Sequence, residues 1–298
     1  MRSARDRSMR RGPVVVALFA AVCVLACAVT WEAGSRAVAR VPQQSFTLPV
    51  GLPVERIVLK QEGAPDLAGW VADRQDSCGT IVLLHGRGSN KLATVPRAKL
   101  LFESGYSIVL FDLSGHGESG GDIRGFGYIE RQDASRILAF ARQRFAGRKV
   151  AAIGSSLGAA AFVFGAQQEH ADAYVLEQLY ATLLETTALR APLPMLRDVQ
   201  ATVLLAQMQL RLGFGVDDVR PVDRIGAIDR PILLLAGNSD PFVARSQTLA
   251  LKDAAGADAK LVWFDGARHV DLYRYDQQRY RDAVLPFLET NLCRTGIR

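Results

Sequence analysis

The sequence contains few residues of the types that build small cross-linked or metal-bound proteins. Four cysteines in 298 residues are too few for a disulfide scaffold, and their spacing does not indicate a metal site. No internal repeat or low-complexity tract is present. The composition, with 49% hydrophobic and 22% charged residues, argues against disorder and collagen and is typical of a globular protein.

The net charge of +6 is concentrated at the N-terminus. Residues 1–40 contain seven arginines and two acidic residues, a net charge of +5, whereas the 29 basic and 28 acidic residues beyond them nearly cancel. A basic groove is therefore unsupported, and we expect no nucleic-acid partner. Membrane topology explains the cationic N-terminus more simply.

Val14–Trp31 forms a run of 18 uncharged residues preceded by five arginines. This pattern is typical of a membrane anchor or an export signal. We favour an uncleaved anchor, although Ala26–Ala28 resembles a cleavage site and Val24–Cys27 an imperfect lipoprotein box. In each case the arginine-rich head stays in the cytoplasm. We expect a single-pass protein of the cell membrane with its main domain on the periplasmic or extracellular side.

Apolar runs typical of strands alternate with helical segments after residue 53. The predicted strands are Arg56–Lys60, Leu67–Ala72, Thr80–Leu84, Ser107–Phe111, Val150–Ile153, Ala173–Leu176, Ile232–Ala236 and Leu261–Phe264. The predicted helices are Leu92–Ser104, Tyr128–Phe145, Leu157–Gln168, Ser246–Ala255 and Asp276–Leu292. This alternation predicts an α/β domain with a mostly parallel sheet of about eight strands flanked by helices.

The predicted organisation has three regions: head and anchor or signal in residues 1–31, a linker in 32–53, and the α/β domain in 54–298. Residues 182–228 are apolar and helix-like but contain three prolines, and they are too many for a plain connection. We interpret them as a short helical cap over the edge of the sheet where ligands bind. Cys78 and Cys293 share the domain, but the sequence does not show whether they lie within bonding range.

Ser156 is the candidate nucleophile. It occupies the centre of Gly154-Ser155-Ser156-Leu157-Gly158, which joins an apolar predicted strand to a small-residue predicted helix. A Gly-x-Ser-x-Gly pattern at such a junction indicates a nucleophile elbow, whereas the plain alternative is a glycine-rich turn. Ser155 is adjacent, but only Ser156 has glycines at both required offsets.

His269 is the candidate general base, which a serine nucleophile requires. His85 and His116 lie in loop patterns after strands, and His170 follows a polar helix end. His269 follows the last predicted strand, where the chain order Ser, acid, His requires the base. The alternative is a structural histidine.

Asp240 is the candidate acid, because it follows the predicted strand Ile232–Ala236. The next predicted strand, Leu261–Phe264, leads to His269. A carboxylate there can hold the imidazole in one tautomer and stabilise its charged form. Asp240 is alternatively a turn residue before Pro241. Asp265 and Asp271 are disfavoured because they lie too close to His269 in sequence.

Two backbone N–H groups are the candidate oxyanion hole, which stabilises charge developing on a substrate oxygen. One belongs to Leu157, after the nucleophile, and the other to Arg87, in the loop after the Thr80–Leu84 strand. The side chain of Arg87 either attracts an anionic substrate group or projects into solvent, and we favour the second interpretation.

Several motifs occur in an order that resembles the α/β-hydrolase superfamily over residues 55–293. They are His85-Gly86-x-Gly88, Gly105-Tyr106, Asp112-x-x-Gly115-His116-Gly117-x-Ser119, Glu130-x-x-Asp133, the Ser156 pattern, Gly237-x-x-Asp240 and Gly266-x-x-His269. The sequence looks most like bacterial peptidase- or esterase-like serine hydrolases with a short cap. The resemblance implies that fold and a Ser-His-Asp triad without metal or organic cofactor. Arg87 is unusually bulky and the cap is short, while Glu130 and Asp133 are expected to be structural because they open a helix.

The sequence therefore predicts a serine hydrolase that cleaves an ester or related acyl bond of a small molecule through an acyl-enzyme. An acyltransferase with the same triad and a non-catalytic envelope protein that uses the fold for binding are the alternatives. The apolar cap also permits a lipase that acts on long chains.

Overall fold

The computed structural model describes the backbone of residues 5–293 and the side chains of residues 14–293. The side chains of the five arginines before Val14, which the sequence analysis assigns to a cytoplasmic head, lie outside the described residues.

Eight strands form a single sheet in the described part of the chain. They are β1 (Glu55–Leu59), β2 (Leu67–Ala72), β3 (Thr80–Leu84), β4 (Ser107–Phe111), β5 (Val150–Ser155), β6 (Ala173–Glu177), β7 (Ile232–Gly237) and β8 (Lys260–Phe264). Their spatial order is β1-β2-β4-β3-β5-β6-β7-β8. β2 pairs antiparallel with β1 and β4, and all other neighbours are parallel. The prediction of a mostly parallel sheet of about eight strands is confirmed.

Helices lie at the N-terminus, around the sheet and between β6 and β7. They are α1 (Arg5–Val38), α2 (Val95–Glu103), α3 (Arg131–Arg144), α4 (Leu157–Gly165), α5 (Leu183–Ala188), α6 (Arg197–Leu205), α7 (Met208–Leu212), α8 (Val222–Ile225), α9 (Arg245–Ala254), α10 (Leu272–Tyr275) and α11 (Gln277–Leu292). The predicted helix from Leu92 begins with a 3-10 turn, Lys91–Thr94. The helix predicted from Tyr128 begins only at Arg131, because the chain before it turns through Phe126 and Gly127, both with positive φ.

The core has two layers because side chains alternate across the sheet. In the central strand β3, Val82 and Leu84 pack on one face and Ile81 and Leu83 on the other, and all four are buried. Strands covered on both faces explain why these apolar runs are continuous in the sequence. α4, all nine residues of which are buried, packs beside α3 on the face of Val82.

Helices α5–α8 form the cap between β6 and β7, as the sequence predicts. The first and last parts of the cap are bonded to each other where the chain leaves and re-enters the domain. The amide of Leu183 donates to the carbonyl of Val219 (3.0 Å), and that of Val222 donates to Ala181 (3.2 Å).

Helix α1 is longer than the predicted anchor. Its segment Val14–Val38 is long and apolar enough to cross a membrane, and most of it is exposed. The predicted linker in residues 32–53 therefore begins inside a helix, since no proline separates Trp31 from Val38 and the last turns pack on the cap.

The chain after α1 runs along the domain rather than free of it. Ala39 pairs with Ile123 in a β-bridge, and the amides of Val41 and Gln44 donate to carbonyls of the loop after β4, at 2.9 and 3.1 Å. Composition alone made this segment resemble a linker, but its backbone groups have partners in the domain.

Cys78 and Cys293 form a disulfide, with their Cα atoms 4.9 Å apart. The bond joins the segment just before β3 to the end of α11. The two cysteines are 215 residues apart in sequence. The pairing that the sequence left open is therefore present.

Candidate active site

Ser156 lies in a sharp turn between β5 and α4. Its φ of +50° and ψ of −102° fall in a region that residues other than glycine rarely adopt. A Cβ on Gly154 would lie 2.5 Å from the nitrogen of Ala159, and one on Gly158 would lie 2.7 Å from the carbonyl oxygen of Leu84. Glycine is therefore required on both sides of Ser156 by close backbone contact.

The structure brings His269 and Asp240 to this turn from the loops after β8 and β7. His269 Nε2 lies 3.3 Å from Ser156 Oγ, and His269 Nδ1 lies 2.6 Å from Asp240 Oδ2. The Asp240 side chain is only 2% exposed, compared with 19% for His269. The three residues predicted as a catalytic set thus form one chain of hydrogen bonds.

Asp240 is fixed by backbone groups on its other oxygen. Oδ1 accepts hydrogen bonds from the amides of Phe242 (2.8 Å) and Val243 (3.0 Å), which leaves Oδ2 for His269. With a carboxylate at Nδ1, the imidazole carries its proton there and presents the lone pair of Nε2 to the hydroxyl of Ser156. The arrangement is suited to removing a proton from that hydroxyl.

Leu157 and Arg87, whose amides are the predicted oxyanion hole, line the same cavity as Ser156. Among the described residues neither amide donates a hydrogen bond to the protein. Leu157 is the first residue of α4, so its N–H has no partner within the helix. Gly86 brings the preceding loop close, since a Cβ there would lie 3.8 Å from the Cβ of Ser156.

His85 holds this loop and is not a candidate base. Its Nδ1 lies 2.8 Å from the carbonyl of Gly86, and its Nε2 accepts the amide of Leu113 at 3.1 Å, so the ring is neutral. Burial lowers the pKa of His85 to about 4 and that of His116 to about 3. Both histidines therefore serve as structural residues.

Glu130 and Asp133 hold loops around the cavity, in keeping with the structural role predicted for them. Glu130 accepts the amides of Gly125 (2.7 Å) and Gly127 (2.8 Å), on either side of Phe126. Asp133 accepts the amide of Ser114 at 2.8 Å. Burial raises the pKa of Glu130 to about 7. The two carboxylates therefore accept hydrogen bonds from buried backbone amides, in addition to the favourable interaction with the helix dipole that the sequence predicts.

A cavity of about 500 Å³ opens above Ser156. Its walls come from the loops after β3, β5, β6, β7 and β8 and from α5 of the cap. The position agrees with the general site of ligand binding at the carboxyl ends of parallel strands.

Arg87 and Arg190 are two of the three arginines that line this cavity, and Arg97 is the third. The guanidinium of Arg87 lies 5.0 Å from the ring of Phe126 and donates to the carbonyl of Ala37 in α1, so it does not project freely into solvent as the sequence analysis favoured. Arg190, at the end of α5, lies 4.1 Å from the ring of Phe242. Desolvation, together with the charges of Arg124 and Arg190, lowers the pKa of Arg87 to about 10.

Sequence reasoning missed a buried ionic network beneath the cavity. Arg97 pairs with Glu177, which also accepts the hydroxyl of Tyr280 at 2.7 Å, and Arg97 lies 3.5 Å from Asp271. The carbonyl of Glu177 accepts the amide of Ser156 at 2.8 Å, so the network supports the turn. Its members come from α2, β6, α11 and the loop after β8, and no local motif connects them.

Parts of the sequence are similar to known proteins. Residues 75–212, just under half of the chain, match the serine aminopeptidase family S33. An uncharacterized protein of Bacillus subtilis, YqkD, is 25% identical over 230 residues, 75% of each chain. The uncharacterized protein Rv2307c of Mycobacterium tuberculosis is 28% identical over 251 residues, 83% of each chain.

Solved structures with the same fold include two hydrolases. The esterase Pf2001 of Pyrococcus furiosus superposes with a TM-score of 0.71 at 20% identity, covering 86% of this chain and 98% of its own. A hydrolase from Pseudomonas aeruginosa gives a TM-score of 0.59 at 20% identity, covering 78% and 98%. By its sheet order and by these structural likenesses, the chain has the α/β-hydrolase fold.

Proposed function

We propose that the protein is a serine hydrolase that cleaves an ester or related acyl bond through an acyl-enzyme on Ser156. The observation that carries the proposal is the hydrogen-bond chain from Ser156 through His269 to Asp240 at the base of a cavity. The match to a serine aminopeptidase family and the fold shared with an esterase support it.

In the first half-reaction, Ser156 Oγ attacks the substrate carbonyl carbon while His269 Nε2 takes the hydroxyl proton. The oxyanion that forms receives hydrogen bonds from the amides of Leu157 and Arg87, a contribution of about 3–4 kcal/mol per donor in such sites. His269 then gives the proton to the leaving alcohol oxygen as the carbon–oxygen bond breaks. Asp240 stabilises the imidazolium between these steps.

In the second half-reaction, water takes the place of the alcohol. His269 removes a proton from water, and the resulting hydroxide attacks the acyl carbon. The bond between this carbon and Ser156 Oγ breaks, and the serine recovers its proton from His269. The products are a carboxylic acid and an alcohol.

Replacement of Ser156 tests the proposal. Ser156→Ala should lower kcat on p-nitrophenyl acetate by at least about 10³-fold, because no other group supplies the attacking oxygen. Labelling by a fluorophosphonate should also disappear. Ser155→Ala is the matched control and should keep most activity and all labelling. Unchanged turnover in Ser156→Ala, or its loss only in Ser155→Ala, would show that the assignment is wrong.

We further propose that α1 anchors the protein in the cell membrane with the domain outside the cytoplasm. The arginine-rich N-terminus favours this orientation. The disulfide between Cys78 and Cys293 supports it, because such bonds persist mainly in oxidising compartments.

A further inference from the structure

A second cavity of about 570 Å³ lies between α1 and the cap. One wall is the segment Ala26–Val38 of α1, and the other is formed by the segment Ala191–Arg211, which includes α6 and α7. Most of its lining is aliphatic, and Ala33 and Ala37 leave room along α1. The polar and charged residues of the lining are Thr30, Arg87, Thr187, Arg190, Gln200, Gln207 and Arg211. We call this space the α1–cap groove. Its shape and lining suit a hydrocarbon chain.

The α1–cap groove adjoins the cavity above Ser156. Arg87, Phe126, Thr187 and Arg190 line both spaces. A molecule whose apolar chain lies in the groove and whose other end extends past these residues would reach the cavity of Ser156.

The cap is attached to α1 where the apolar run ends. The side-chain amide of Gln207 donates to the carbonyl of Thr30 at 2.8 Å. Arg211 donates to the carbonyl of Trp31 at 2.7 Å, and its guanidinium lies 3.8 Å from the centre of the Trp31 ring. Tryptophan is enriched at the interface between a membrane and water. With α1 in a bilayer, the groove opens at the membrane surface.

The cap itself exposes apolar side chains beside α1. Met195 is 99% exposed, Leu210 is 82% exposed and Val199, which also lines the groove, is 61% exposed. Large exposed apolar patches mark sites that bind a membrane or a partner. Because Val199 borders the groove together with the exposed α1 segment, a bilayer that holds α1 would also contact the cap.

The junction of the two cavities carries two positive charges, which the nearby carboxylates of Glu130 and Asp240 offset in part. Among the described side chains, neither Arg87 nor Arg190 forms an ion pair. Their guanidinium groups pack against the rings of Phe126 and Phe242 and donate hydrogen bonds to the carbonyls of Ala37 and Thr186 respectively. The lowered pKa of Arg87 reflects desolvation and nearby positive charge. An anionic group at the junction would be held by charge-assisted hydrogen bonds.

We propose that the substrate is an anionic membrane lipid that reaches Ser156 laterally, with its chain in the α1–cap groove and its anionic group between Arg87 and Arg190. This inference rests on the proposed hydrolase function. The order along the cavities is chain, anion, Ser156, so the scissile acyl bond lies on the headgroup side of the anion. A phospholipid acylated on its headgroup has this order. Water would cleave that ester to a carboxylic acid and the parent phospholipid.

The groove is tested with the full-length protein in phosphatidylcholine vesicles that contain headgroup-acylated phosphatidylglycerol. Ala33→Trp fills the groove, whereas Ala28→Trp places the same side chain on α1 outside it. The rate on the lipid, divided by the rate on p-nitrophenyl acetate, should fall about 10-fold in Ala33→Trp and stay unchanged in Ala28→Trp. An equal ratio in both variants would overturn the lateral route, while p-nitrophenyl acetate turnover reports separately on the hydrolase function.

The anionic requirement is tested by comparing headgroup-acylated phosphatidylglycerol with triacylglycerol, which lacks the phosphate. Arg190→Gln should lower the preference for the anionic lipid about 10-fold, because a charge-assisted contact is lost. Arg197→Gln, an exposed cap arginine outside both cavities, is the control. Equal preference in the two variants, or release of fatty acids from the glycerol esters of phosphatidylglycerol instead of from its headgroup, would contradict the proposed order.

Binding without turnover gives a further readout. The Ser156→Ala protein in vesicles should be cross-linked at the groove-facing segment Leu204–Met208 by a phosphatidylglycerol with a photoreactive chain, and Ala33→Trp should reduce this adduct. Adducts confined to the exposed part of α1 would overturn the proposal even where esterase activity is present.

Discussion

The position of the Ser156 hydroxyl group depends on a strained backbone, and the orientation of its neighbour His269 depends on a fixed carboxylate. The residue is held at positive φ by backbone contacts at Gly154 and Gly158, and the orientation of His269 is fixed by Asp240. Because Asp240 uses its second oxygen for two amides, the carboxylate has one orientation. The candidate site is therefore preorganised before substrate binds.

Asp240→Asn should lower kcat on p-nitrophenyl acetate by about 10³- to 10⁴-fold, since an amide facing His269 favours the wrong tautomer. Steady-state kinetics on the full-length protein measures this effect. Asp265→Asn is the matched control, because Asp265 follows β8 but contacts Asn238 rather than His269, and its activity should stay within about twofold. Equal loss in both variants would remove Asp240 from the proposed mechanism.

The buried histidines predict that the protein loses stability in mild acid. In the folded state the pKa of His85 is about 4, below its ordinary value of 6.5, so the unfolded state binds more protons between these values. The free energy of unfolding should therefore fall as pH is lowered from 6.5 to about 4. His116, with a pKa of about 3, acts in the same direction.

Urea unfolding of the full-length protein in detergent, followed from pH 7 to pH 4, measures this dependence. His85→Gln keeps an acceptor for the amide of Leu113 but does not titrate, so part of the slope should disappear. The exposed His170→Gln is the control and should keep the slope of the parent. Stability that is constant over this pH range would contradict the prediction.

Among the elements, α11 is held at its end by the disulfide. Cys293 ends this helix, and Cys78 precedes the central strand β3, so the bond fixes the last helix to the middle of the sheet. Cys23 and Cys27, in α1, are exposed and unpaired. Only one of the two pairs of cysteines therefore constrains the domain.

Replacing both Cys78 and Cys293 with serine should lower the free energy of unfolding by about 2–5 kcal/mol, because the bond closes a long loop. Denaturant unfolding in detergent without reductant measures the loss. Cys23→Ser, in the exposed part of α1, should leave the stability unchanged. A reductant should lower the stability of the parent but not that of the double variant, and no difference between them would mean that the bond does not form.

The central elements were predictable from sequence because their signals are local. The residues around Ser156 carry the steric requirements of the turn within five positions, and buried strands such as β3 and β4 are continuous apolar runs. The end of α1 was not predictable, since it depends on contacts with the cap. Polar composition after Trp31 made a helical segment resemble a linker.

At the scale of the whole molecule, the sequence did not predict contacts between residues that are far apart in the chain. His269 followed from elimination and chain order, but the Arg97–Glu177 network and the junction at Arg87 and Arg190 join residues about 80 or more positions apart. Such contacts depend on how α1, the cap and the sheet pack together. The candidate catalytic residues could therefore be predicted from the sequence, whereas the residues that line the pocket could not.

The proposed orientation predicts opposite protease sensitivity in two kinds of membrane vesicle. External protease should digest the domain in right-side-out vesicles and leave it intact in inverted ones, because in this proposed orientation the domain would lie outside the cytoplasm. Immunoblotting with an antibody to the domain measures the result. A cytoplasmic marker protein enclosed in the right-side-out vesicles is the control, and the reverse pattern would show that the orientation is wrong.

The chain between α1 and β1 is bonded to the loop after β4, and the cap is bonded to α1. With α1 in a bilayer, the domain would have little freedom to tilt or rise, and Ser156 would stay at a nearly constant height above the lipid headgroups. Molecules in the same leaflet would then be encountered by diffusion in two dimensions. The rate of such an enzyme depends on substrate per unit area of membrane rather than on its concentration in the surrounding solution.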